Sequence, residues 1–76
     1  MNFKERDTER ILRYLNEFPK GVAVDEVILY SGAEKLRVYP ALFELEQMGR
    51  LEVLEREELG APKRVRLLDA EGALRG

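Results

Sequence analysis

Seventy-six residues suffice for one domain with a real core but little surplus stability. At 45% hydrophobic and 37% charged, the chain has the composition of a globular protein, not a disordered one. Thirteen Lys and Arg against fifteen Asp and Glu leave a net charge of −2 and a pI of about 5.2, a balance that weighs against a broadly basic nucleic-acid binder.

The chain has neither Cys nor His, which closes disulfide, thiolate and imidazole chemistry. The carboxylates are abundant but are not grouped with other catalytic residue types or with a Gly-rich phosphate loop. No enzyme activity, metal or cofactor is therefore expected. An apolar run of 18 residues and an N-terminal signal pattern are both lacking, so neither membrane insertion nor secretion is expected and a cytoplasmic location is.

In chain order, Asn2 and Glu5 form a capping pair for a first helix over about 3–18. Ile11, Leu12, Leu15 and Phe18 repeat at helical spacing, with Thr8 one turn earlier. Pro19 stops that helix and Lys20–Gly21 turns the chain. The intervening charges, Lys4, Glu5, Arg6, Asp7, Glu9, Arg10, Arg13 and Glu17, alternate in sign and read as a solvated face.

Gly21–Val24 is short and β-branched, a brief strand leading into a second helix over about 24–31. Asp25 and Glu26 suit its N-terminus and Gly32 its C-terminal turn. Val27 and Ile28 point inward. Leu29 and Tyr30 fall toward solvent, as part of a contact face or packed against the first helix.

The third helix, about 35–48, carries two stripes. At roughly 100° per residue, Val38, Ala41, Leu42, Leu45 and Met48 face a core. Leu36, Tyr39, Pro40, Phe43 and Gln47 lie opposite, where an exposed helix is ordinarily charged. Lys35 and Arg37 flank this second stripe. One side serves the core, and the other is shaped for a partner.

After Gly49 the period becomes that of strands. Segments of about 51–57 and 63–68 form an antiparallel hairpin across Glu58–Pro62, whose Gly and Pro mark a loop. The hairpin's second strand holds Lys63, Arg64 and Arg66 just after a run of four Glu broken by Arg56. Asp69 can cap a final turn over 70–74, weakened by Gly72 and Gly76.

Helix, short strand, helix, turn, helix, hairpin is the order of a winged helix-turn-helix: an α+β fold with a three-helix core and a C-terminal two-stranded wing, here a single domain over 1–76. The segment VYPALFELEQMGRLE, followed by GAPKRVRLLDAEG, resembles PadR-type transcriptional regulators. The matching positions are Tyr39, Pro40, Ala41, Leu42, Leu45, Glu46, Gly49, Pro62, Lys63, Arg64, Leu68 and Gly72. The Tyr-Pro-Ala-Leu run is the most specific of them. Phe43 and Glu44 differ from the polar or basic residues common there, and Val65 and Arg66 replace an aromatic pair. The family continues into a long C-terminal dimerisation region, so an effector pocket of that region is expected to be absent.

The resemblance implies sequence-specific binding of double-stranded DNA in transcription regulation, with the third helix presented to the major groove. Lys35 and Arg37 would meet phosphates or guanine edges, Tyr39 a phosphate, and Leu36 or Pro40 a thymine methyl. Lys63 and Arg64 on the wing would reach the flanking backbone, with Arg56 as a further candidate. Tight binding by so few contacts calls for a homodimer on two half-sites. The alternative is a protein–protein interaction module using Leu36, Tyr39, Pro40 and Phe43, with Leu29 and Tyr30 as a second part of the contact face.

Overall fold

The computed structural model describes residues 3–68. Its elements run α1 (Phe3–Asn16), β1 (Val22–Ala23), α2 (Val24–Tyr30), α3 (Lys35–Gln47), β2 (Leu51–Arg56) and β3 (Pro62–Leu67). The result is a small α+β domain of three helices and a three-stranded antiparallel sheet in the order β1-β3-β2. The N-cap residue Asn2 and the final turn expected over 70–74 lie outside the described residues.

α1 ends two residues before the expected boundary. Glu17 N–H donates to Tyr14 O at 3.1 Å and Phe18 N–H to Leu15 O at 3.0 Å, the tighter i→i−3 pattern of a closing turn. The cause is Pro19, which disfavours helical geometry in the residue before it. Ile11 and Leu15 are fully buried, with Leu12, Tyr14 and Phe18 packed partly against them. Asp7 departs from the solvated face expected of it: it is only 7% exposed. It stands four and eight residues before Ile11 and Leu15, on the same side of the helix.

β1 pairs with β3, Val22 opposite Val65 and Ala23 opposite Arg64, so the short strand is the third member of the sheet. α2 follows at once with no side-chain cap; Asp25 and Glu26 occupy its first turn, where negative charge complements the helix dipole. Val24 and Val27 are buried, whereas Leu29 and Tyr30 are exposed as expected. The helix stops at Tyr30, and Gly32 at φ +88° turns the chain toward α3. Arg10 Nη1 donates to the Gly32 carbonyl at 2.9 Å, tying that turn to α1.

α3 buries Val38, Ala41, Leu42 and Leu45. Met48, expected in the same stripe, is 61% exposed: it keeps helical dihedrals and donates its N–H to the Glu44 carbonyl at 3.0 Å, but it borders an open cleft beside α1. Gly49 N–H donates to Glu46 O at 3.0 Å and Arg50 N–H to Leu45 O at 2.9 Å, the paired bonds of a Schellman cap. Gly49 at φ +77° supplies the left-handed residue that this cap requires.

The hairpin pairs Leu51 with Leu67, Glu52 with Arg66 and Val53 with Val65. The register then shifts, so that Glu55 faces Arg64 and Leu54 is left over, and it shifts back at Arg56 opposite Pro62. β3 is one residue earlier at each end than expected. As the central strand it carries the fully buried Val65 between Val22 and Val53. Sheet and helices thus close on one core, with the hairpin projecting beside α3.

Candidate nucleic-acid interface

The outward side of α3 is as apolar as its sequence implies. Leu36 is 80% exposed, Phe43 60% and Tyr39 40%, and Pro40 is exposed between them. Pro40 has no N–H to donate to the Leu36 carbonyl, so the helix carries one missing rung on this side.

The hairpin meets that side and forms two adjoining depressions. A cleft of about 410 Å³ has Tyr39, Pro40 and Phe43 on the helix wall and Gly60, Ala61 and Pro62 on the hairpin wall, with Glu46 and Arg56 between them. A narrower crevice of about 130 Å³ shares Tyr39 and Pro62 and adds Lys63 and Arg64, with Val24, Asp25 and Glu57 opposite. Tyr39 therefore stands where helix and hairpin converge.

The cations divide into two groups. Arg56 Nη2 donates to Glu46 Oε2 at 2.6 Å, and its Nη1 donates to the Gly60 carbonyl at 3.0 Å. Arg66 Nε donates to Glu52 Oε1 at 2.7 Å across the paired strands, an opposite-charge cross-strand pair. Lys35, Arg37, Lys63 and Arg64 make no ion pair or side-chain hydrogen bond among the described residues. The Glu residues preceding the wing therefore do not absorb Lys63 and Arg64.

Arg37 stands apart from the hairpin cations. It lines a 170 Å³ crevice between α1 and α3 with Asp7, Thr8, Pro40, Ala41 and Glu44. Asp7 is a buried neighbour of Arg37 in that crevice that charge patterning missed, although its helical spacing to Ile11 and Leu15 was available as a signal. Leu29 and Tyr30 on α2 and Phe43 on α3 are all largely exposed. Beside α2, burial raises the Tyr14 phenol above its ordinary pKa, with Glu26, Tyr30 and Glu17 adding to the effect.

A wider cleft of about 540 Å³, between α1 and the end of α3, includes Thr8, Leu12, Leu45 and Met48 beneath a rim of Glu5, Glu9, Glu44 and Arg50. It contains none of the residues singled out for binding. Among the described residues, no group of three or more acidic side chains is placed to hold a metal ion, and no helix is long and apolar enough to cross a membrane.

No family model, curated protein or solved structure matches the chain.

Proposed function

We propose that the domain is a winged helix-turn-helix that binds double-stranded DNA through α3 and the β2–β3 hairpin, as a PadR-like transcription regulator in the cytoplasm. What carries this reading is that Lys35 and Arg37 on α3 and Lys63 and Arg64 on the hairpin make no ion pair among the described residues. Two lie on the helix that this fold presents to a groove, and two on the strand that would flank it. A charge with no internal partner is available to a phosphate, and phosphate contacts set affinity and register.

Tyr39 and Pro40 occupy the middle of the same surface, where a hydroxyl can meet a phosphate and a ring a thymine methyl. So small a footprint implies a homodimer spanning two half-sites. A second reading, a protein-contact module, has its own observation: Leu36 and Phe43 are among the most exposed large apolar side chains of α3.

The two readings part on salt. Anisotropy of a labelled mixed-sequence duplex, titrated at two salt concentrations fourfold apart, should show affinity falling about 150-fold if four phosphates are neutralised, a log–log slope near −3.6. Absence of duplex binding at the lower salt would refute the DNA reading. A flat salt response would favour apolar protein contact.

A further inference from the structure

We propose that the cleft between α3 and the hairpin is a stacking pocket for unpaired nucleobases. On this proposal the domain prefers DNA whose duplex continues into a single-stranded tail over a blunt, fully paired end. The inference rests on the DNA reading above and specifies which form of DNA the surface takes.

The chemistry of the exposed side of α3 is the starting point. Bases within a duplex present their edges to the groove, where apolar side chains find only the thymine methyl and the other edge contacts call for polar or charged groups. The centre of this surface instead offers Leu36, Tyr39, Pro40 and Phe43, two rings and two aliphatic surfaces with one hydroxyl among them. Such groups complement the face of a base, and faces become accessible only when a base is unpaired. Aromatic side chains stack on any base, with little dependence on sequence.

The pocket has the dimensions for this role. Its volume of about 410 Å³ falls within the roughly 300–1,000 Å³ of small-ligand sites. Phe43, Tyr39 and Pro40 face Ala61 and Pro62 across it, so both walls are apolar. Arg56 lies between them, its guanidinium fixed by Glu46 at 2.6 Å and by the Gly60 carbonyl at 3.0 Å. Its charge is already answered, and what remains is a held planar group of the kind that stacks on bases.

Charge identifies the occupant. Lys63 and Arg64 line the adjoining crevice together with Asp25 and Glu57, the crevice shares Tyr39 and Pro62 with the cleft, and Lys35 lies one turn before Tyr39. None of the three cations is ion-paired among the described residues. A single strand supplies bases for the cleft and phosphates for these cations together. A second copy of the chain would supply apolar surface for the cleft but no phosphates for these cations.

The test compares three labelled probes at one salt concentration: a blunt duplex, the same duplex with a thymine tail, and the tail strand alone. The tailed duplex should bind about tenfold tighter than the blunt one, the lower part of the range for one or two stacked bases. Phe43→Ala, a change at an exposed side chain whose folding is checked by circular dichroism, should bring that ratio close to one. In the wild type, 5-iododeoxyuridine in the tail should photocrosslink to Tyr39 or Phe43, as mapped by mass spectrometry.

Equal binding of blunt and tailed duplexes, with the steep salt response retained, would overturn the stacking pocket and leave the DNA reading standing. Tail-dependent binding without blunt-duplex binding would do the reverse. Binding of no probe would refute both. A wild-type dimer that Phe43→Ala dissociates would assign the cleft to a second copy and overturn the proposal.

Discussion

Glu46→Gln is the sharpest probe of how charge is allotted at the α3–hairpin junction. The carboxylate holds Arg56 at 2.6 Å, with side-chain exposures of 47% for Arg56 and 33% for Glu46. Replacing it with an amide removes the countercharge while keeping a hydrogen-bonding group of nearly the same shape. The cost in stability should be small, because exposed pairs contribute about 0.2–1 kcal/mol. It is partly offset, since Glu46 lies near the negative end of the α3 dipole.

The effect on DNA should be larger. With Arg56 released, five cations replace four, and the log–log salt slope should steepen from about −3.6 to about −4.5. Over a fourfold rise in salt, the variant's affinity should fall about 500-fold against about 150-fold for the wild type. Anisotropy across a salt series reads the slope, and urea denaturation reads the stability. Identical slopes for the two proteins would show that Arg56, even when released, does not reach the DNA backbone. A wild-type slope shallower than about −2 would refute the assignment of four phosphate contacts.

Three further outcomes follow from the geometry. Arg37→Ala should weaken duplex binding at low salt and reduce the slope by about 0.9; an unchanged slope would mean that Arg37 serves the Asp7 crevice and not DNA. Gly21→Ala should cost about 1–3 kcal/mol in urea denaturation, because Gly21 sits at φ +119° and a Cβ there would come within 2.5 Å of Leu54 Cδ1. Gly49→Ala, at φ +77° with nothing within 4 Å, should cost only the backbone term of about 1–2 kcal/mol, and equal losses at both positions would refute the Leu54 contact. Pro40→Ala should raise the melting temperature by restoring a donor for the Leu36 carbonyl, a gain of up to about 3 kcal/mol; a fall would mean that the ring's packing beside Ala41 outweighs the missing hydrogen bond.

The helices and hairpin were legible because each is punctuated by a residue with a defined backbone effect. Gly32 and Gly49 lie two residues beyond the ends of α2 and α3, Pro19 three beyond the end of α1, and the Gly60–Pro62 loop runs into the start of β3. Periodicity placed Ile11, Leu15, Val38, Leu42 and Leu45 inside. It failed at Met48, which keeps its place in the stripe but borders an open cleft beside α1. It was overruled at Asp7, where charge was given more weight than position. The pairing of β1 with β3 was not legible, because it depends on a register between segments some forty residues apart, and the extra residue at Leu54 was not, because it is a shift inside the hairpin. No local pattern encodes that register.

Charge shows most clearly what folding adds to composition. A net charge of −2 counts every Arg and Lys equally, yet the fold does not treat them equally. Arg10 is bound to a backbone carbonyl, Arg66 to Glu52 across the sheet, and Arg56 to Glu46 at the foot of the cleft. The acidic partners taken up this way no longer oppose the remaining cations at close range. Among the described residues, Lys35, Arg37, Lys63 and Arg64 make no ion pair on α3 and the hairpin, and Arg6, Arg13 and Lys20 make none on or just after α1. At physiological salt, where screening acts over about 8 Å, a phosphate approaching α3 responds to those near charges and the Glu beside them far more than to the molecular total. An acidic protein can therefore present a surface to DNA. On the proposed reading, the apolar centre of that surface would meet bases and the unpaired cations beside that centre would meet their backbone.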